Sequence, residues 1–230
     1  MGSINLGSNG TITNLAVGGK PDNTIDNGTM ADDSVGIAEL SATGTASSST
    51  FLRGDNSWAA VSGNPITVAD CWRVNAHFAS NTSYTTISAN WERADDSAGE
   101  GGITSSQMSE SSGVFTFPST GIYRIEFFAT ASTNDWSVNP HEEITMVLNF
   151  STNTGSSYDE IVKSTSFITD VPNPGRFYTT LFGSTIVDVT NTTTNKVRLQ
   201  QNTSYTGIRF EGNSGGNFGP TLTFIRLGDT

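Results

Sequence analysis

Large apolar residues are spread unevenly along this 230-residue chain. Over roughly the first seventy positions they come singly, as in "GTITNLAVGG" and "NTIDNGTMADDSVGIAEL", with an isolated Ile, Leu or Val every few residues. From Cys71 onward they gather into segments of strand length, rich in β-branched and aromatic residues and mostly punctuated by Gly, Pro, Asn or Ser. The segments are 72–79, 84–93, 114–117, 122–131, 142–150, 159–168, 177–189, 196–201 and 221–228. None carries a long 3.6-residue period. The pattern predicts an all-β domain, best arranged as a sandwich.

The leading part cannot hold itself together in the same way. Ordering a backbone costs about 1–2 kcal/mol per residue, and one copy of this arm has too little apolar surface to offset that. Its apolar residues nevertheless recur instead of vanishing, which suits several copies wrapped around a thin shared core. One helix signal is present, Asp32 or Asp33 as N-cap ahead of Val35, Ala38 and Leu40, but Gly36 limits it to a turn or two. The chain is therefore divided into an arm or stalk (1–48), a junction (49–70) and a head (71–230).

Composition agrees with strands and turns. Hydrophobic residues make up 34% and charged residues only 14%, and the formal net charge is −11. An acidic surface repels phosphate backbones, so nucleic acid is not an expected partner. One cysteine, Cys71, excludes an intrachain disulfide and leaves burial or partner chains as the source of stability. Residues 1–30 lack a basic start followed by an apolar run, and no stretch approaches membrane-spanning length; synthesis in a cytoplasm without export or membrane insertion is the expectation.

The segment "SGVFTFPSTGIYRIEFFATAS" (112–132) narrows the sandwich. Phe115 and Phe117 face one side, Pro118 to Gly121 turn, and Tyr123, Ile125 and Phe127 face inward on the return. It resembles the hairpin of complement one-q-type heads and their tumour-necrosis-factor-like relatives, with "ITMVLNFSTNTG" similar to the next strand and "TLTFIRLG" to the closing one. The stretch "IVDVTNTTTNKVRLQ" lacks the Gly-Asp step of that family. The resemblance implies a jelly-roll head and a homotrimer packed through aromatic residues of one sheet. Upstream, "MADDSVGIAELSATGTASSSTFLRGDNSWAAV" resembles modules that precede the heads of bacteriophage tail fibres. That places Arg53-Gly54-Asp55 in a turn and Phe51, Leu52 and Trp58 at a trimer junction.

Chemistry finds weaker footholds. "GNSGG" (212–216), "WRVNAHF" (72–78) and "AVGG" (16–19) loosely match trypsin-like protease segments, but Asn213 stands where the family needs an acid, and no strand offers an orienting Asp. His77 and His141 have no partner at zinc spacing, so no metal or cofactor is implied. Asp95, Asp96 and Glu100 could attract calcium but read as a solvated loop. The β-helical repeats of depolymerising fibres are not seen.

In a jelly roll entered from a stalk, loops after odd strands lie at the far tip. That gives 132–140, 169–175 and 204–219 to the tip and 118–121, 151–157 and 191–195 to the base. The tip loops hold Asp135, Trp136, Asn139, Tyr205, Arg209, Phe210 and Phe218, the aromatic-plus-polar mixture that suits a shallow sugar site. The expectation is a non-enzymatic bacteriophage virion fibre, assembled in the host cytoplasm and acting at the host surface. Its arm would join other virion proteins, and its trimeric knob would bind a host glycan or protein. A capsid or head-fibre decoration is the alternative.

Overall fold

A computed structural model of the chain describes residues 40–60, 66–94, 106–133, 142–168, 177–213 and 219–230. The chain divides into two units, Met1–Gly63 and Asn64–Thr230. In the first, β1 (Thr50–Leu52) and β2 (Trp58–Ala60) form an antiparallel hairpin. The helix signal at Asp32 and Asp33 lies outside the described residues.

The second unit is a sandwich of two antiparallel sheets. One holds β4 (Ala76–Ala79), β14 (Ile208–Asn213), β9 (Gly121–Thr133), β15 (Thr221–Gly228), β3 (Ala69–Val74) and β6 (Trp91–Arg93), with β12 (Tyr178–Val189) along the free edge of β9. The other runs β11 (Asp159–Ile168), β10 (Glu142–Ser151), β13 (Lys196–Thr203), β8 (Val114–Thr116), β7 (Ser109–Ser111), with β5 (Thr85–Thr86) also on β13. The chain changes sheet between β9 and β10, β11 and β12, β12 and β13, and β13 and β14, while β10 and β11 are paired neighbours. The inner neighbours are β3-β15-β9-β12 on one side and β8-β13-β10-β11 on the other. This is a jelly roll, as expected.

Inward positions of both sheets meet in one core. Phe115 sits against Trp72, Trp91 and Phe224 at ring-centre distances of 5.2–5.5 Å, and Phe117 lies 4.8 Å from Tyr123. All of the inward residues named from the alternation, Phe115, Phe117, Tyr123, Ile125 and Phe127, are 2% exposed or less. The hairpin joining them is corrected. The strand β8 pairs with β13 and β7, and β9 pairs with β12, β14 and β15, so Pro118–Gly121 carries the chain between sheets. Period-two alternation reports which face is apolar but not which strand lies alongside.

Other expected segments are adjusted. Residues 72–79 are two strands interrupted at Asn75, and 84–93 keeps strand only at its ends. The loop expected over 204–219 contains β14, which prolongs the line of β15 along β9. At 190–195, where the family's Gly-Asp step is missing, Asn191 caps the turn: its Oδ1 accepts the Thr193 and Thr194 amides at 2.8 and 3.3 Å. A buried carboxylate ties β3 to β6 and to the start of the second sheet. Asp70, 1% exposed, accepts from Trp72 Nε1, Arg93 Nε and the Met108 amide at 3.1, 3.0 and 2.8 Å.

Candidate functional site

Edge strand β12 has two apolar faces. Leu181, Val187 and Val189 point inward and are 8% exposed or less, whereas Tyr178, Phe182 and Ile186 point outward at 57%, 58% and 62%. Gly183 decides which face goes in: a Cβ there would come within 2.3 Å of the Phe127 ring and 2.6 Å of Val162. Only glycine lets β12 press onto the core at that point. Across the strand pair, Phe182 is in register with half-buried Phe128, and Asp188 with Ile122. On the far side of β9, Ile225 and Thr223 of β15 complete the same face. Large side chains spaced four residues apart on a long edge strand make a row of exposed apolar groups of the kind that marks an interaction surface. The row is interrupted at Ser184, which accepts from Arg124 Nε at 3.4 Å.

The row ends in a polar cluster. Ser132, in register with Tyr178 on one side and Arg209 on the other, donates from Oγ to Glu211 Oε1. Arg209 holds both Glu211 oxygens, at 2.8 and 3.0 Å through Nη2. His77 Nδ1 accepts the Gly212 amide at 3.0 Å and lies 2.9 Å from Glu211 Oε2. Burial alone pushes the Glu211 carboxyl up. The hydrogen bonds from Ser132 and Arg209, with the charge of Arg209, outweigh that and hold it below the usual carboxylate range.

The residues expected at the tip fare unequally. Asp135, Trp136, Asn139 and Phe218 lie outside the described residues. Tyr205 is half-buried on the 204–207 turn, where its carbonyl accepts from Ser80 Oγ and Thr203 Oγ1 at 3.0 and 2.7 Å. Its ring lies so close to Gly207 that a Cβ would approach it to 2.1 Å. Arg209 is on strand β14 with its guanidinium spent on Glu211. Phe210 is corrected: it is a fully buried strand residue stacked on Phe78 at 5.1 Å and 11°, so its ring is not available to a receptor. Alternation explains the error, because Ile208 and Phe210 share the inward face of a strand that was read as loop.

Two depressions flank the end of β4. A shallow one of about 390 Å³ is lined by His77, Phe78, Thr206, Gly207 and Arg209 among others. A second, of about 200 Å³, lies between β4, the 80–90 segment and β13, and includes Gln201. The latter was missed. The signal for it was present in "KVRLQQNT", where Gln201 and Thr203 fall on the inward alternation set by Val197 and Leu199.

In the first unit, Phe51 and Leu52 are 48% and 38% exposed and Trp58 is half-buried. Arg53-Gly54-Asp55 forms the hairpin turn as expected: the Arg53 amide donates to the Ser57 carbonyl at 2.9 Å, and Asp55 Oδ1 accepts the Ser57 hydroxyl at 2.6 Å. Arg53 and Asp55 lie 3.5 Å apart as an exposed pair. His141, Asp95, Asp96 and Glu100 lie outside the described residues. Among the described residues no three His, Cys, Asp or Glu side chains gather as a metal site. The jelly roll is also not the pair of barrels that the protease segments require.

No protein-family profile matches the chain, and no curated protein does. Among solved structures, Eiger TNF from S. frugiperda is similar at 12% identity and a TM-score of 0.48, over 73% of this chain and 96% of that one. Murine APRIL, crystallised at pH 8.0, is similar at 8% identity and a TM-score of 0.44, over 70% and 99%. Likenesses of this strength say nothing about ligand or assembly.

Proposed function

We propose that this chain is a bacteriophage virion fibre protein whose jelly-roll head forms a homotrimeric knob and binds a host-surface receptor. The observation that carries the reading is the outward face of β12, with Tyr178, Phe182 and Ile186 each more than half exposed on an edge strand. A face of that kind is stable in solution when another copy covers it. Closure around a threefold axis lets each head both cover and be covered. The sparse apolar spacing of the arm and the exposed Phe51 and Leu52 of the hairpin support the same arrangement, since three arms together can share what one cannot bury.

With the sheet face used for assembly, the loops at one end stay free to meet a receptor. Three heads on one stalk, repeated around a particle, turn weak single contacts into firm attachment. Sedimentation of the purified protein tests assembly, with three chains per particle expected. Immunogold labelling of virions, together with adsorption of the labelled protein to host cells, tests the role. A single-chain species would overturn the trimer. Label confined to the capsid, with no adsorption, would make the protein a decoration instead.

A further inference from the structure

We propose that the cleft between the end of β4, the 80–90 segment and β13 binds one neutral sugar ring; this rests on the head being a receptor-binding knob. The cleft has a volume of about 200 Å³, and among the described residues no ionisable side chain lines it, although the chain as a whole carries a formal charge of −11. Its polar wall is made of amides and hydroxyls: Asn81, Thr86, Ser88, Asn90 and Gln201. With no cation in the wall, an anionic group entering it would lose hydration without a partner. Hydroxyls, which donate and accept, match amides and hydroxyls in kind.

Gln201 carries the argument furthest. It is 3% exposed, and its Oε1 accepts the Asn81 amide at 3.1 Å. Its carboxamide nitrogen has no hydrogen-bond partner among the described residues, yet it is not one of the sealed orphan atoms of the fold. A donor of this kind at the wall of an open cleft is satisfied by water in the free protein and by a ligand oxygen when one arrives. Phe78 supplies the apolar surface that a sugar ring needs, and its stacking on Phe210 fixes its plane.

The walls are set before any ligand comes. Thr85 and Thr86 pair with Gln201 and Gln200, and the Ile87 amide donates to the Leu199 carbonyl at 3.0 Å. Trp91 Nε1 donates to the Ile87 carbonyl at 2.7 Å, and the Asn75 amide to the Asn90 carbonyl at 2.9 Å. Binding therefore orders little new chain. The neighbouring depression at His77 and Arg209 is a poorer candidate, because Arg209 is already spent on Glu211.

The test is a titration of the intact protein with the methyl glycosides of glucose, galactose, mannose and N-acetylglucosamine, and with N-acetylneuraminic acid. The readouts are the side-chain amide signal of Gln201 by NMR for the parent and the heat of binding by calorimetry for the parent and both variants. At least one neutral glycoside should move that signal, and Gln201→Met should weaken its binding by roughly tenfold or more. Ser88→Trp, an exposed rim change that fills the mouth, should abolish binding and leave the unfolding midpoint in place. No response to any neutral probe, preference for the acidic sugar, or unchanged binding by Ser88→Trp would each overturn the proposal. Host-cell adsorption separates the two readings. If Ser88→Trp adsorbs like the parent, this cleft is not the receptor site and the knob stands; if the parent itself does not adsorb, the knob reading fails.

Discussion

On the outward side of the β10-centred sheet, Val147 is fully buried and Asn149 and Thr145 are 2% and 1% exposed. On the outward side of the β9-centred sheet, Phe182 and Ile186 are 58% and 62% exposed. The first face is closed by its own side chains. Lys163, in register with Val147, donates to Tyr84 at 2.8 Å and lies 5.5 Å over its ring. Arg198, in register with Asn149, donates to its Oδ1 at 3.3 Å and stacks 3.9 Å over Tyr158. Phe167, at the end of edge strand β11, is the exception at 56%. The second face is only partly covered. Arg124, paired with Glu126, donates to Ser184 at 3.4 Å, and Ser132, Arg209, Glu211 and His77 cluster at one end. Among the described residues no such side chain lies over Tyr178, Phe182 or Ile186, each more than half exposed. One sandwich thus carries a finished surface and an unfinished one. The difference teaches that long cationic and phenolic side chains can seal a sheet from within, whereas an exposed row of Phe, Tyr and Ile waits for a partner.

The largest effect should come from placing charge on the open face. Phe182→Asp combined with Ile186→Asp should convert the assembly wholly to single chains in a light-scattering mass measurement, while Glu160→Lys on the closed sheet leaves the mass unchanged. Equal behaviour of the two variants would erase the contrast. Next comes the layer that both sheets share. Phe115→Ala should lower the free energy of denaturant unfolding by about 3–5 kcal/mol, since the ring is fully buried against three aromatics.

Removing one seal from the closed face should cost less. Arg198→Ala loses the stacking on Tyr158 and the hydrogen bond to Asn149, whose Nδ2 is already a buried donor without a partner. A loss of about 1–2 kcal/mol in unfolding, with unchanged mass, is expected. The smallest effect is a pH dependence from Glu211. Its folded pKa is depressed, so its contribution is present above the unfolded carboxylate pKa and is lost as pH falls through the folded value. Glu211→Gln should therefore narrow the gap in unfolding midpoint between neutral and strongly acid solution. A gap as wide as the parent's would show that the cluster does not stabilise the fold.

Much of the strand pattern was legible because burial of one sheet face writes itself as alternation. The set Phe115, Phe117, Tyr123, Ile125 and Phe127 was read correctly as inward. The site was less legible. Phe210 looked like a loop aromatic because Gly207, Gly212 and the run after it mask a short strand. Gln201 looked like surface, because an amide on an inward position is conspicuous only once the neighbouring segment is seen to leave a cleft there.

By itself the sequence determined the class, the places of most strands and the contrast between a sparse arm and an apolar head, because these follow from local composition and a period of two. It could not determine which of β12's two apolar faces goes inward, since Leu181 and Val187 compete with Phe182 and Ile186 on equal terms. That choice belongs to the tertiary structure, where Gly183 must meet Phe127 and Val162. Nor could it place β8 and β9 in opposite sheets or close the 80–90 segment over Gln201. Such arrangements depend on pairings between residues far apart in the chain, 120 positions for Asn81 and Gln201, and no local pattern encodes them.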